Sequence, residues 1–303
     1  MLRLKDKIRR IKNRIKSIIG WPSYHWIIDF DIKLPADHEL PSYQLRHPKY
    51  DRFLPHLAQY LDPHDVVVDV GANVGDTLAG MLQSNPQLKF VCVEADKRFY
   101  KYLLKNEREL KANFVNIQVD SINAFVGADI RPLGLTGKRG TKRALVENSK
   151  EQKPEIKLNR KDKNSISIIS LDRLISYFVR NRLRLIKSDV DGFDFDILNS
   201  AKFAIGNWKP LLYFEMDYGD EWQLDGYLRS VDSLEKSGYS YWYIFDNWGN
   251  FLSKESASGN LVKIMQHIFD QKNGNLPKTL YYIDVLACTS EDEEICDSII
   301  ASY

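Results

Sequence analysis

The stretch that decides the fold runs from residue 66 to residue 77 and reads Val66-Val67-Val68-Asp69-Val70-Gly71-Ala72-Asn73-Val74-Gly75-Asp76-Thr77. A short β-branched run, a glycine turn and then a helical pattern are typical of the start of a βαβ unit. Glycines let the backbone approach a ligand closely because they have no Cβ. The turn reads G-x-x-x-G and lacks the middle glycine of the G-x-G-x-x-G dinucleotide fingerprint. The acid at Asp69 would also repel a diphosphate.

The rest of the chain repeats this alternation of short apolar runs and helical patterns. Further strands are predicted at 90–93, 115–122, 185–187, 211–214, 239–246 and 280–288. Helices are predicted at about 50–61, 75–84, 97–112, 172–181, 194–206, 222–237 and 260–270. This order predicts an α/β fold, a doubly wound, mostly parallel seven-stranded sheet with one reversed strand.

Charge is unevenly distributed along the 303 residues. Residues 1–20 carry eight basic residues and one acid, a net charge of +7, so the remaining residues carry −5. An acidic body does not favour a general nucleic-acid binder, whose positive charge covers the binding face. Three scattered cysteines predict neither a disulfide framework nor a metal site, which favours a reducing compartment. No apolar stretch is long enough for a spanning helix.

The chain divides into four predicted parts. Residues 1–20 form a basic amphipathic helix, 21–60 an irregular cap that ends in a helix, 61–290 the main domain, and 291–303 a tail. The stripe of Leu and Ile in 1–20 fits an anionic membrane surface, a partner helix or packing on the body. Residues 127–164 form a basic insertion, either a flap over an anionic substrate or a solvated loop.

Acidic and amide side chains follow several of the predicted strands. Glu94 follows the second strand, where doubly wound folds bind a ribose diol, and this supports an adenosine ligand without choosing between nicotinamide and S-adenosylmethionine cofactors. Asn123 follows the third strand, where it could contact adenine or form a structural turn. Carboxylates also follow the fourth and fifth strands in i, i+2 pairs, and they are predicted to converge at the carboxyl edge of the sheet. These are Asp189, Asp191, Glu215 and Asp217.

These segments together resemble the FkbM family of S-adenosylmethionine-dependent methyltransferases over about residues 36–290. The resemblance rests on segments 69–76, Glu94, 122–124, Lys187-Ser188-Asp189-Val190-Asp191-Gly192 and Lys209-Pro210 ahead of Glu215. Two departures are Ala95, where the family more often has proline, and Asp191, where it has glutamate.

The resemblance implies a class I, Rossmann-like methyltransferase fold and, usually, O-methylation of a sugar or natural product. It implies that the methionine end of the cofactor lies against Asp69, Gly71, Asn73 and Gly75. It further places Glu94 at the ribose and Asn123 at the adenine.

Methyl transfer to a hydroxyl requires the removal of a proton by a base or by a coordinated cation. None of the six histidines lies in a strand-end motif, so carboxylates are the candidates. Asp189 is the predicted base or metal ligand, with Glu215 assisting. A site of oxygen ligands would suit Mg²⁺, for which Asp189, Glu215 and Asp217 are the candidate ligands.

Other functions predict different features. A nicotinamide oxidoreductase would need the phosphate-binding turn that is missing here, and a nucleic-acid methyltransferase would use the basic 127–164 insertion. A non-catalytic scaffold tethered to a membrane by residues 1–20 would not need Asp69, Glu94 and Asp189. The favoured interpretation is a cytoplasmic methyltransferase, peripheral on the inner face of the membrane, with a small-molecule or glycan acceptor.

Overall fold

A computed structural model of the protein describes residues 22–128, 134–136, 143–145 and 168–303. The helix predicted at 1–20 and most of the insertion predicted at 127–164 lie outside these ranges. Within them, no helix has both the length and the apolar character that crossing a membrane requires.

Strands are numbered in chain order. They are β1 (Pro22–Ile27), β2 (Phe30–Pro35), β3 (Val66–Val70), β4 (Lys89–Val93), β5 (Gln118–Ile122), β6 (Phe125–Val126), β7 (Gly134–Thr136), β8 (Arg143–Leu145), β9 (Ile168–Ile169), β10 (Leu183–Ser188), β11 (Leu211–Met216), β12 (Tyr239–Asp246), β13 (Phe251–Glu255) and β14 (Ile283–Thr289).

Helices of the described ranges are numbered in the same way. They are α1 (Leu40–Arg46), α2 (Phe53–Ala58), α3 (Asp76–Ser84), α4 (Lys97–Asn113), α5 (Leu171–Phe178), α6 (Asp194–Asn199), α7 (Lys202–Trp208), α8 (Glu221–Lys236), α9 (Ser258–Lys272) and α10 (Glu293–Ser302). A short 3₁₀ turn, Ser290–Asp292, precedes α10.

The main sheet has eight strands in the order β13-β12-β14-β11-β10-β3-β4-β5. The five strands from β5 to β11 pair in parallel, and β14 lies antiparallel between β11 and β12. The predicted α/β class is confirmed, but the sheet has one more strand than predicted and two reversed strands, β14 and β13.

The additional strand β13 follows from a tight turn after β12. The carboxylate of Asp246 accepts hydrogen bonds from the backbone N–H groups of Trp248 and Asn250, at 2.8 and 2.9 Å. Gly249 has a φ of 81°, in the left-handed region that glycine adopts without strain. The turn therefore reverses the chain, and β13 pairs antiparallel with β12 at the edge of the sheet.

Apolar side chains on the central strands explain the layered architecture. All five residues of β3 are buried. Val66, Val68 and Val70 pack in one apolar cluster, with residues of α5 to α9. Val67 packs in a second cluster on the opposite face, with residues of α2, α3, α4 and α10. A strand that buries side chains on both faces is typical of a parallel sheet covered by helices.

The segment predicted as an irregular cap is more regular than expected. It contains the β1–β2 hairpin and α1 before the predicted helix, which is shortened to α2. The fully buried Asn106 on α4 fastens the hairpin, since its side chain accepts from Lys33 N–H and donates to the Lys33 and Val74 carbonyls. Residues 293–302, assigned to a tail, form α10, which buries Cys296 and Ile299.

Two helical glycines differ in their surroundings, which gives a test of the packing between α6 and α8. A Cβ on Gly226 would lie 2.6 Å from the ring of Phe195, whereas nothing lies within 4 Å of a Cβ on Gly206. We expect Gly226→Ala to lower the free energy of unfolding by about 1–3 kcal/mol through overpacking. Gly206→Ala should raise it by about 0.5–1 kcal/mol through helix propensity. Urea denaturation of both variants checks this, and equal stabilisation by both would contradict the tight contact.

Candidate active site

The glycine turn after β3 packs against the end of β10. Gly71 has a φ of 80°, and a Cβ built on it would lie 1.9 Å from the carbonyl oxygen of Asp189. A Cβ on Gly75, at a φ of 85°, would lie 2.9 Å from Leu103. The Asp189 carbonyl and the Leu103 side chain therefore occupy the space that side chains at these two positions would need. The backbone at Gly71 and Asn73 also lines a cavity.

Lys187 joins β3 to β10 beneath this turn. Lys187 and Asp69 are directly paired in the parallel register, and their charged groups lie 3.0 Å apart. The ammonium group also donates to the carbonyl of Gly71 at 3.0 Å and lies 3.7 Å from Asp189. Burial alone would lower the pKa of Lys187, but the charges of Asp69 and Asp189 raise it well above its usual range. The lysine is therefore a fixed positive charge.

Glu94 lies at the end of β4, facing the glycine turn. Its carboxylate accepts backbone hydrogen bonds from Asn73 at 2.8 Å and from Asp96 at 2.6 Å. Burial raises the pKa of Glu94 to about 7, although these two hydrogen bonds act in the opposite direction. Each carboxylate oxygen retains acceptor capacity, because an ionised carboxylate offers about four lone-pair positions.

The cavity has a volume of about 740 Å³ and opens at the carboxyl edge of the parallel strands. Six of the predicted site residues line it: Gly71, Asn73, Glu94, Asp189, Glu215 and Asp217. Asp69, Gly75 and Asn123 are not among the lining residues. The amide nitrogen of Asn123 donates to the carbonyls of Glu94 and Ala95, so it supports the loop, and Ala124 lines the cavity in its place.

The N-terminal cap closes one side of the cavity through His38. The Nδ1 atom of His38 accepts from the backbone N–H of Leu40 at 3.3 Å, which leaves Nε2 as the donor to Asn73 Oδ1 at 3.2 Å. Burial lowers the pKa of His38 to about 4, with the Asn73 hydrogen bond acting in the opposite direction. The ring is therefore neutral near pH 7 and holds the cap against the glycine turn.

Two acids face each other across the antiparallel pair of β11 and β14. Glu215 lies directly opposite Asp284 in the register, and both line the cavity. Burial, followed by the charges of Asp189 and Asp191, raises the pKa of Glu215 well above its usual range. Burial and the charge of Asp189 do the same for the pKa of Asp284. Burial and the neighbouring negative charges thus act in the same direction on both acids.

Several lining residues escaped the sequence analysis. They include His38, Asp51, Asp76, Tyr282 and Asp284. The sequence does contain a feature that could have identified Asp284, because it is the only acid in the apolar run 280–288. No sequence feature identifies Asp51, since it lies in a turn of the cap and reaches the cavity only through the tertiary fold.

The predicted magnesium site is not assembled in the described part of the chain. No group of three or more histidine, cysteine or acidic side chains there could hold a metal ion. Asp217 instead forms an ion pair with Lys272 on α9. The positions of Asp189, Glu215 and Asp217 therefore do not support Mg²⁺.

The buried pair of Lys187 and Asp69 gives a test of how the site is held together. We expect Lys187→Met to lower the free energy of unfolding by about 3–5 kcal/mol, because it leaves a buried carboxylate without its cation. Adding Asp69→Asn should recover part of the loss. Lys236→Met, which breaks the exposed pair with Asp232, is the control and should cost at most about 1 kcal/mol. Chemical denaturation measures all three, and equal losses in the two lysine variants would contradict the assignment.

Comparison with solved structures finds low sequence identity and partial superposition. The methyltransferase FkbM from Methylobacillus flagellatus KT is 15% identical over 58% of this chain and 48% of its own, with a TM-score of 0.37. Precorrin-6y C5,15-methyltransferase from Geobacter metallireducens GS-15 is 9% identical over 78% and 86% of the two chains, with a TM-score of 0.37. M. jannaschii TYW2, solved in complex with AdoMet, is 12% identical over 88% and 84%, with a TM-score of 0.42. This chain thus spans about half the length of the M. flagellatus protein.

A search of curated proteins by sequence gives no significant match. A family model does match, and its match runs from Asp69 on β3 to Tyr241 on β12, more than half of the chain. That model describes the methyltransferase FkbM domain. The matched segment contains the glycine turn, Glu94, Asp189 and Glu215, so it includes the ends of the parallel strands that line the cavity, whereas Asp284 on β14 and the cap lie outside it. This chain belongs to the FkbM methyltransferase family.

Proposed function

We propose that the protein transfers a methyl group from S-adenosylmethionine to a hydroxyl of a small-molecule or glycan acceptor. The observation that carries this proposal is that Glu94 and Asp189 line one cavity from opposite sides of the glycine turn. In this proposal the cofactor lies over β3 and β4, and the acceptor lies over β10, β11 and β14.

The residues around Glu94 suit an adenosyl cofactor. The Glu94 carboxylate is fixed by two backbone hydrogen bonds and can still accept from the two hydroxyls of a ribose. Gly71 and Asn73 line the adjoining part of the cavity and would contact the methionine end. A cavity of about 740 Å³ lies in the usual range of ligand pockets, roughly 300–1,000 Å³.

When bound, S-adenosylmethionine supplies an electrophilic methyl group on a positively charged sulfur. Asp189 accepts the proton of the acceptor hydroxyl while the oxygen gains the methyl group, and the products are a methyl ether and S-adenosylhomocysteine. The Asp189 side chain is 51% exposed, which leaves it accessible to an acceptor. The Lys187 ammonium group lies 3.7 Å from the Asp189 carboxylate. Glu215 assists by orienting the acceptor.

The charge of the cavity disfavours a nucleic-acid substrate. Ten of its lining residues are acidic and four are lysines, so a phosphate backbone would meet an excess of negative charge. A non-catalytic scaffold would bind no cofactor, so titration with S-adenosylhomocysteine distinguishes it from an enzyme.

Calorimetric titration with S-adenosylhomocysteine tests the cofactor site. We expect saturable binding that is about tenfold weaker at pH 6 than at pH 8, because the pKa of Glu94 is about 7 and only the ionised carboxylate accepts both hydroxyls. Glu94→Gln should bind more weakly, with little dependence on pH over this range. Binding of NADH instead, or of neither ligand, would overturn the proposal.

Asp189→Asn separates catalysis from cofactor binding. We expect this variant to lose methyl transfer by about 10²- to 10⁴-fold, the usual contribution of a general base. Its affinity for S-adenosylhomocysteine should stay close to that of the wild type. Asp120→Asn, at an exposed position on β5, is the matched control and should keep full activity. Transfer of radiolabelled methyl groups to the acceptor provides the measurement, and full activity in Asp189→Asn would exclude Asp189 as the base.

A further inference from the structure

The acids that face each other across β11 and β14 have no evident structural purpose. Directly opposed residues of an antiparallel pair have Cβ atoms about 4.5–5.5 Å apart, and like charges at such positions are destabilising. Glu215 and Asp284 occupy such positions. Both are placed where the sheet meets the cavity, so a ligand in the cavity can reach them.

Among the described residues, no lysine or arginine forms an ion pair with Glu215 or Asp284, although the charge of Lys187 does act on Asp284. Lys187 is paired with Asp69 and Gly71, and Lys272 with Asp217. Glu215 is only 7% exposed, and its buried Oε2 atom has no hydrogen-bond donor among the described residues. A buried carboxylate without a partner is costly, and it is tolerated where a ligand completes the site.

Aromatic rings and a further acid line the same part of the cavity. Tyr50, Tyr213 and Tyr282 are lining residues, and so is Asp51 on the cap. The Tyr213 ring stacks on Phe53, and its hydroxyl donates a hydrogen bond to Asp284. Asp51 is an electrostatic neighbour of Asp284, and Tyr282 of both Glu215 and Asp284. Carboxylates beside aromatic faces are the surroundings that an organic ammonium group prefers, since both attract a positive charge.

The amino group of the cofactor does not account for this pair. β11 is two strands from β3 across the sheet, and β14 is three, in the order β3-β10-β11-β14. With strands about 4.8 Å apart, the pair lies about 10–14 Å from the strand whose turn would hold the methionine end. The cation therefore belongs to the other substrate.

We propose that the acceptor carries a positively charged amine, which Glu215 and Asp284 bind while its hydroxyl faces Asp189. This inference rests on the proposed function and narrows the acceptor to amino-bearing alcohols. The amine donates hydrogen bonds to both carboxylates and neutralises their repulsion. A neutral acceptor of the same shape leaves the two acids without a cation, so the site selects against it.

A matched pair of probes tests this proposal on the full-length protein saturated with S-adenosylhomocysteine. Tyramine carries an ammonium group, a ring and a hydroxyl, and N-acetyltyramine is its neutral counterpart. Competition calorimetry should give an affinity for tyramine about tenfold higher than for N-acetyltyramine, as expected of a charge-assisted hydrogen bond. Equal affinities, or no binding of tyramine at millimolar concentration, would overturn the proposal.

Single substitutions test whether Glu215 and Asp284 cause the preference for tyramine over N-acetyltyramine. Asp284→Asn should reduce the preference for tyramine to less than about threefold, because it removes one of the two carboxylates that bind the amine. Asp51→Asn is a second variant with a lower risk of misfolding, since asparagine tolerates the φ of 56° at this position. It should weaken the preference less than Asp284→Asn does. Asp120→Asn should leave it unchanged, and a preference that survives Asp284→Asn would contradict the assignment.

Two further measurements, of S-adenosylhomocysteine binding and of Mg²⁺ binding, distinguish failure of this inference from failure of the proposed function and from a metal site. If S-adenosylhomocysteine fails to bind, the proposed function fails; if it binds and tyramine shows no preference, only the acceptor inference fails. Mg²⁺ is titrated in parallel. Tight Mg²⁺ binding that is lost in Asp284→Asn would show a metal site and would overturn the proposal of an amine.

Discussion

The ion pair between Lys187 and Asp69 is the interaction on which the rest of the site depends. It joins the two central strands, β3 and β10, at directly paired positions and is almost fully buried. The Lys187 ammonium group also donates a hydrogen bond to the Gly71 carbonyl, so it fixes the turn that follows β3. The turn, in turn, packs on the backbone of Asp189. A single buried charge thus sets the relative positions of the two halves of the cavity.

This arrangement also explains why the lysine is buried without being a candidate base. Both carboxylates beside Lys187 stabilise its protonated form. The charge is therefore structural, and the half-exposed Asp189 beside it is a carboxylate that a ligand in the cavity can reach.

The central part of the fold could be predicted from the sequence because its signals are local. The boundaries of β3 and β12 were predicted as observed, since Val66–Val70 is a β-branched run interrupted only by Asp69 and 239–246 ends in a turn. The β1–β2 hairpin was missed because its order depends on Asn106, which lies on a helix more than seventy residues away. Glu94 was located by its spacing from the glycine turn. Asp284 and Asp51 were missed because their role depends on which strand pairs with β11 and on how the cap folds back, and neither is encoded locally.

The position of β14 has a consequence for the order of folding. This strand comes after every other strand in the chain, yet it lies between β11 and β12. Until it inserts, the facing edges of β11 and β12 expose unpaired backbone groups, and such edges are sites of intermolecular strand pairing. Pairing β14 with β11 also closes a loop of about seventy residues, and contacts of this separation form slowly. The half of the sheet that carries Glu215 and Asp284 is therefore the half whose strand edges wait for the last strand of the chain before they can pair.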